Sequence, residues 1–310
     1  MIMTNSYRPE GMTIDTKENR ERLLSRAAAE RAYLSGAILE APAVMCDSEL
    51  SLSVDLGFCR GVIPKEEAVL LMGNEKFKDI AVLTRVGKTV CFKITGFDRI
   101  AGEPVAMLSR REAQLEFVEK ALPLFRPGDV IDARVTHCES FGAFADVGCG
   151  IVALMPIDCI SVSRITHPKD RFFDGMFIKA VVKSRDAETG RLFLSHKELL
   201  GTFEENCAAF SAGQTVAGTV RGVEPYGVFI ELAPNLAGLA DVREGIRSGQ
   251  RATVYIKSIF PDRMKIKLVI LDIGEPSPPQ KKFDYFIKDG RIDRWVYSPP
   301  DCKKVMETVF

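Results

Sequence analysis

The sequence predicts a mainly β protein built from tandem small barrels of five strands each. The first observation is an internal repeat, because residues 128–135 (GDVIDARV) and 213–220 (GQTVAGTV) open two similar segments. The second is that both openings alternate apolar and polar residues, as a half-buried strand does. The third is that glycines stand at the bends between five short apolar runs in each copy. These features together predict consecutive closed barrels.

The other strands of the two copies follow in the same order. The second strands share an aromatic-Gly-x-Phe motif, FGAFADV in one copy and YGVFIEL in the other. A short third strand and a closing pair of strands come after it. The second to fifth strands are expected at 141–147, 150–155, 175–183 and 191–197 in one copy, and at 226–232, 236–240, 249–257 and 264–268 in the other.

A degenerate third copy of the repeat precedes these two. Its closing strands are clear at 87–94 and 105–111, whereas its second and third strands are expected at 51–55 and 59–64. Where the aromatic-Gly-x-Phe motif belongs, residues 50–54 read LSLSV, so this copy lacks rings.

Helical and irregular segments surround the barrels. Residues 1–15 are expected to be unstructured, and Thr16 can cap a helix that runs to about Leu34 with an apolar stripe. Residues 112–122 read as a linker helix, and 274–282 read as a linker by composition. The aromatics after Phe283 predict that part of the tail docks on a surface. The expected domains are a disordered start and helical arm (1–34), a degenerate barrel (35–111), a linker helix (112–127), two complete barrels (128–202 and 203–272) and a Pro-rich linker with an aromatic tail (273–310).

Composition narrows the function classes. The chain has 42 Lys and Arg against 42 Asp and Glu, which argues against a tight clamp on duplex phosphates and leaves room for base stacking. None of the eight cysteines forms a Cys-x-x-Cys knuckle, so buried free thiols in a reducing compartment are expected. No signal peptide or membrane-length apolar run is visible, which predicts a cytoplasmic protein without a membrane partner. Phosphate loops, zinc-protease motifs and nucleophile elbows are also missing, so we expect no enzyme and no cofactor.

The aromatic pairs are the strongest functional feature. Phe141 and Phe144, and likewise Tyr226 and Phe229, are three residues apart and would normally fall on opposite faces of a strand. If the intervening glycine bends the strand, both rings of a pair can face one surface and offer π-faces to unpaired bases. The alternative is that the rings belong to the core, which is the stronger objection for Phe144 and Phe229.

The two good copies resemble the S1 RNA-binding domain, the OB-fold repeat named after the largest protein of the bacterial small ribosomal subunit. The motifs that carry this resemblance are the Gly-x-x-Val opening, the aromatic-Gly-x-Phe strand and the Leu-Ser-x-Lys close at 194–197. It covers 128–197 and 213–270 well and 35–111 partially. The resemblance implies tandem OB-type barrels that bind RNA.

The resemblance also implies polar partners around the rings. S1 domains often carry a histidine after the third strand. In this chain Pro156 and Asp241 stand at about that position in the two copies. His167 lies nearby in the sequence and either takes the place of that histidine or is a loop residue without a role. Asp186 and Arg191 match the acid and base of the last hairpin, and Asp262 and Lys265 match it less well. Lysines on the fourth strands are expected phosphate contacts or solvated residues. The expected RNA-binding residues are Phe141, Phe144, His167, Lys179, Lys183, Asp186, Arg191, Tyr226, Phe229, Lys257, Asp262 and Lys265.

The expected function is therefore RNA binding. The ligand is single-stranded or unstructured RNA, in particular mRNA, with the small ribosomal subunit as a further partner in translation. The alternative is a protein-interaction scaffold whose barrels bind a ribosomal or RNA-decay partner. The neutral charge favours the scaffold, while the two aromatic pairs favour RNA.

Overall fold

The computed structural model describes residues 7–73, 76–186, 189–276 and 282–310. Three closed barrels of five strands follow one another along the chain, which confirms the mainly β fold class of tandem OB-type barrels. In each, the strands lie in the order 1-2-3-5-4 around the barrel, and the third and fifth strands run parallel. This common order places the second, third and fifth strands side by side in each barrel.

Contacts within the chain group its residues into two compact units. The N-terminal unit comprises Met1–Phe125, Asp132–Arg134 and Asp146–Val152. The C-terminal unit comprises Arg126–Ile131, Val135–Ala145 and Ala153–Phe310. The domain boundaries expected from the repeats remain a prediction.

The N-terminal arm differs from the expectation in two ways. Of the segment expected to be unstructured, residues 1–6 lie outside the described residues, whereas 7–15 are packed, because the Glu10 side chain is buried and ion-paired with Arg110. The single expected helix is two helices, α1 (Lys17–Arg22) and α2 (Arg26–Ser35). Thr16 caps α1 as predicted, but Ser25 adopts an extended conformation and accepts a hydrogen bond from the Ala28 N–H, so it starts a second helix.

The first barrel has its core in the inward-facing apolar residues of its strands and in the alanines of α2. After its third strand comes the one-turn helix α3 (Ile80–Leu83). The strands are β1 (Ile38–Cys46), β2 (Leu52–Asp55), β3 (Arg60–Ile63), β4 (Thr89–Ile100) and β5 (Glu103–Ser109). The linker helix α4 (Arg110–Lys120) follows β5 directly, because Ser109 accepts a hydrogen bond from the Glu112 N–H and caps it.

The second and third barrels carry the complete repeats. The middle barrel has strands β6 (Val130–Glu139), β7 (Gly142–Gly148), β8 (Ile151–Pro156), β9 (Phe177–Arg185) and β10 (Leu192–Ser195). A short helix, α5 (Phe203–Cys207), connects it to the third barrel. The third barrel has strands β11 (Thr215–Glu224), β12 (Gly227–Ala233), β13 (Leu236–Ala240), β14 (Gln250–Phe260) and β15 (Lys265–Pro276).

Buried polar contacts hold the C-terminal unit together. The Asn235 side chain, 1% exposed, accepts a hydrogen bond from the Val162 N–H and donates to the carbonyls of Lys197 and Gly201. The Arg171 guanidinium pairs with the buried Glu231 carboxylate at 2.7 Å. Both contacts join segments of the middle barrel to the third barrel.

The aromatic tail docks, as the sequence analysis expected. Phe283, Trp295 and Tyr297 are buried, and the Tyr297 hydroxyl donates to the Asn235 carbonyl at 2.6 Å. The tail forms a small hairpin of β16 (Arg294–Val296) and β17 (Glu307–Val309). Most of the linker expected between barrel and tail, residues 277–281, lies outside the described residues, and 274–276 continue β15.

Candidate nucleic-acid interface

Two aromatic pairs have nearly the same geometry in the middle and third barrels. The ring centroids of Phe141 and Phe144 lie 5.9 Å apart with planes at 88°, and those of Tyr226 and Phe229 lie 6.1 Å apart at 88°. Phe141 is 55% exposed and Tyr226 is 67% exposed, whereas Phe144 and Phe229 are half-buried. Each pair therefore offers one open ring supported by a second, partly covered ring.

The local backbone explains how two residues three apart share a surface. Phe141 and Tyr226 lie in the turns before β7 and β12, so the alternation of strand side chains does not govern them. The glycine that follows each ring lets a neighbouring strand come close. A Cβ at Gly142 would lie 2.5 Å from the Met155 carbonyl oxygen, and one at Gly227 would lie 2.8 Å from that of Ala240. The glycines are thus needed because the neighbouring strand comes too close for a Cβ, rather than for the expected bend.

A row of outward residues crosses the third barrel and begins at Phe229, the inner ring of its aromatic pair. Phe229 on β12 is in register with Leu239 on β13, which is in register with Lys267 on β15. In the middle barrel, Leu154 on β8 is in register with Phe193 on β10. Lys267 and Phe193 were not predicted from the sequence, because only the strand register shows that they lie on this row.

The first barrel has no ring on the matching row. Ser53 on β2 is in register with Val62 on β3, which is in register with Met107 on β5. The row therefore carries Ser, Val and Met where the third barrel carries Phe, Leu and Lys. This agrees with the expectation, drawn from LSLSV at 50–54, that the first barrel lacks a stacking platform.

The predicted hairpin residues lie together in the middle barrel. Asp186 and Arg191 face each other across the β9–β10 turn, since the Asp186 N–H donates to the Arg191 carbonyl. The Asp186 carboxylate also accepts hydrogen bonds from the N–H and hydroxyl of Thr189. In the third barrel, the Asp262 carboxylate lies 3.3 Å from the guanidinium of Arg263, and both side chains are largely exposed.

The predicted lysines differ in their surroundings. Lys183 is exposed and donates to the Cys159 thiol at 3.0 Å, and this hydrogen bond holds the pKa of Lys183 above its usual range. Lys179 is half-buried, and its backbone N–H donates to the Tyr285 hydroxyl. Lys257 and Lys265 are exposed on β14 and β15, and Lys265 pairs with Phe260, two residues along the strand from Lys267.

Two histidines occupy different places. The Nδ1 atom of His167 accepts a hydrogen bond from the Lys169 N–H and so caps a short helical turn at Pro168–Asp170. His137, by contrast, stacks flat on Phe144, with centroids 4.4 Å apart and planes at 10°. His137 is not among the residues predicted from the sequence, although it lies on the first strand four residues before Phe141, which was a usable indication. The role of each predicted RNA-binding residue stays a prediction.

The eight cysteines are all free thiols. Within residues 7–73, 76–186, 189–276 and 282–310, no group of three or more His, Cys, Asp or Glu side chains is placed to hold a metal ion. None of the helices in that part of the chain is long and apolar enough to cross a membrane.

Comparison with known proteins places these features in a family context. Residues 124–197 match the model of the S1 RNA binding domain. The chain is 31% identical over 235 residues to small ribosomal subunit protein bS1 of Staphylococcus epidermidis, covering 71% of this chain and 57% of that protein. It is 31% identical over 239 residues to the bS1 homolog of Bacillus cereus, covering 72% of this chain and 60% of that protein. The chain thus spans less than two thirds of the length of these relatives.

Among solved structures, the chain is similar to a multidomain protein with nucleic acid binding domains from Streptococcus pneumoniae. That likeness covers 76% of this chain and 74% of the other, at 12% identity and a TM-score of 0.26. At this TM-score it adds no support to the assignment, which depends on the family model and the bS1 relatives.

Proposed function

We propose, from the premise that this chain carries an S1 RNA-binding domain and resembles ribosomal protein bS1, that it binds single-stranded or unstructured RNA. The observation that carries the proposal is the pair of open aromatic platforms, of nearly equal geometry, on the middle and third barrels. Exposed rings stack on unpaired bases regardless of sequence, at about 1–3 kcal/mol per base. A base-paired strand cannot offer its base faces in this way, so unpaired RNA is the ligand class that fits.

The relatives suggest the setting of this activity. They are proteins of the small ribosomal subunit, so we place the RNA ligand among mRNAs and the small subunit among the partners. This setting is cytoplasmic. The predicted polar residues are proposed to contribute polar and phosphate contacts to the bound RNA. They are Lys179, Lys183, Asp186, Arg191 and His167 in the middle barrel, and Lys257, Asp262 and Lys265 in the third.

The platforms can be tested by removing them in the full-length chain. Replacing Phe141 and Phe144 with Ala should weaken binding of a labelled unstructured RNA by at most about 2–4 kcal/mol, since each ring stacks at most one base. Tyr226→Ala with Phe229→Ala should act similarly, and the quadruple variant should lose most binding. Fluorescence anisotropy titration measures these losses.

The matched control is Ser53→Ala, at the equivalent place on the ring-free row of the first barrel. It should bind RNA like the parent chain. Circular dichroism must show that each variant stays folded. If folded variants without the four rings bind RNA as tightly as the parent, stacking is not the mode of binding.

Salt dependence distinguishes stacking from phosphate clamping. The net charge is zero, and we expect only about two to four phosphate contacts from the predicted basic residues. The slope of log K against log salt should then be shallow, roughly 0.7 per contact for single strands. Titrating one unstructured RNA at several salt concentrations gives the slope. A steep slope, with about a thousandfold loss from low to moderate salt, would move the binding site to a basic patch.

The first barrel supports a second activity, the binding of a protein partner. Its matching row carries no ring, and Val44 and Met45 on β1 are 55% and 50% exposed. Met45→Ser should weaken a pull-down of small-subunit components without changing RNA affinity. If RNA affinity falls instead, the first barrel takes part in RNA binding.

A further inference from the structure

The middle barrel has an aromatic stack that the third barrel lacks. His137 lies on β6 and is exposed, and its ring covers one face of Phe144 in a parallel stack with centroids 4.4 Å apart. Phe141 stands perpendicular to Phe144 at 5.9 Å. Phe144 is therefore flanked by two rings, one of which covers a face of it, and the exposed rings of this group are Phe141 and His137.

Hydrogen bonds hold the His137 ring in this orientation. The Thr136 hydroxyl donates its one proton to the Phe144 carbonyl at 3.1 Å. Its contact of 3.2 Å with His137 Nδ1 therefore requires the ring nitrogen to donate. The imidazole is tied to the strand next to the ring it covers, so its outer face is preorganised for a ligand.

The equivalent position in the third barrel is a glycine. Gly222 on β11 is in register with Phe229, and a Cβ built on it would meet only the Phe229 ring, at 3.9 Å. Gly222 thus has no side chain to stack on Phe229 as His137 stacks on Phe144. The two platforms thus differ at the first-strand position beside the inner ring, although their aromatic pairs have nearly the same geometry.

We propose that His137 is a base-stacking residue of the middle barrel, and that Phe144 supports it rather than contacting the base itself. In the third barrel, where glycine leaves the ring bare, Phe229 takes the base directly. The ligand is an unpaired base of a single-stranded RNA. This inference rests on the proposed RNA-binding function and adds a contact residue that the aromatic-Gly-x-Phe motif does not contain.

The test isolates the middle platform in the full-length chain. In a Tyr226→Ala, Phe229→Ala background, His137 is changed to Ala, Leu or Tyr, and binding of a short unstructured RNA carrying one 2-aminopurine is measured. His137→Ala and His137→Leu should weaken binding roughly tenfold or more, the loss of about one stacked base, and should reduce the quenching of 2-aminopurine. His137→Tyr should keep both the affinity and the quenching.

The proposal is overturned if adding His137→Leu to the Tyr226→Ala, Phe229→Ala chain leaves its RNA affinity unchanged, since leucine keeps the packing on Phe144 without an aromatic face. It is also overturned if His137→Ala is neutral. Failure of the unmodified chain to bind RNA would instead overturn the proposed function.

Discussion

Replacing Arg110 with Met should destabilise the N-terminal unit by up to about 3–5 kcal/mol, because it removes the closest counter-charge of the buried Glu10 carboxylate. Arg85, 3.6 Å from the same carboxylate, remains as the second cation. Both side chains are nearly inaccessible, at 3% for Arg110 and 4% for Glu10. The guanidinium makes two contacts with the carboxylate, at 2.7 and 3.1 Å, and donates to the Ala68 carbonyl. Burial alone would raise the pKa of Glu10, but Arg110 lowers it below its usual range.

Urea unfolding followed by far-ultraviolet circular dichroism measures the loss. The only tryptophan of the chain, Trp295, lies in the C-terminal unit, so its fluorescence reports that unit separately and should change little. The control is the double variant Glu10→Gln with Arg110→Met, which removes both charges and should lose clearly less than Arg110→Met. A loss of under about 1 kcal/mol for Arg110→Met would show that water reaches the pair.

Acidification should destabilise the C-terminal unit through His196, by about 2 kcal/mol between neutral pH and pH 5. His196 is fully buried among Phe172, Phe283 and Tyr285, and burial lowers its pKa from 6.5 to about 3. As the pH falls, His196 is therefore protonated near pH 6.5 in the unfolded chain but only near pH 3 in the folded chain. The contribution of neutral His196 is fully present above about pH 6.5 and is lost as the pH falls toward 3.

Trp295 fluorescence in urea at a series of pH values tests this dependence. His196→Gln, whose amide can donate to the Ile160 carbonyl and form a hydrogen bond with the Tyr285 hydroxyl, serves as the matched control. Its unfolding free energy should depend less on pH between 6.5 and 4 than that of the parent. Equal slopes for the two proteins would mean that His196 is protonated without cost in the folded state.

Most of the architecture follows from the internal repeat and from short motifs in the chain. The alternation in β6, β11 and their successors depends on local residue order, so strand positions were readable from the sequence, and Thr16 was recognisable as a helix cap. The aromatic-Gly-x-Phe motif likewise pointed to both ring pairs. These features depend on residues that are close together in the chain, so they can be predicted from the sequence.

The rest depended on contacts between distant residues. Burial of Glu10 needs Arg110, which lies about a hundred residues later in the chain, and so the packed N-terminal segment read as unstructured. Strand register likewise decided that Lys267, rather than Lys265, aligns with Phe229.

The sequence by itself determined the fold class, the number of barrels, the absence of rings in the first barrel and the identity of the two aromatic pairs. Only the tertiary structure decided which ring faces are open. His137 and Phe144 face each other because β6 and β7 are adjacent strands of a closed barrel, and Gly222 leaves Phe229 bare in the same arrangement. A linear pattern records which side chains a strand carries, whereas accessibility depends on the side chain that the neighbouring strand places beside them.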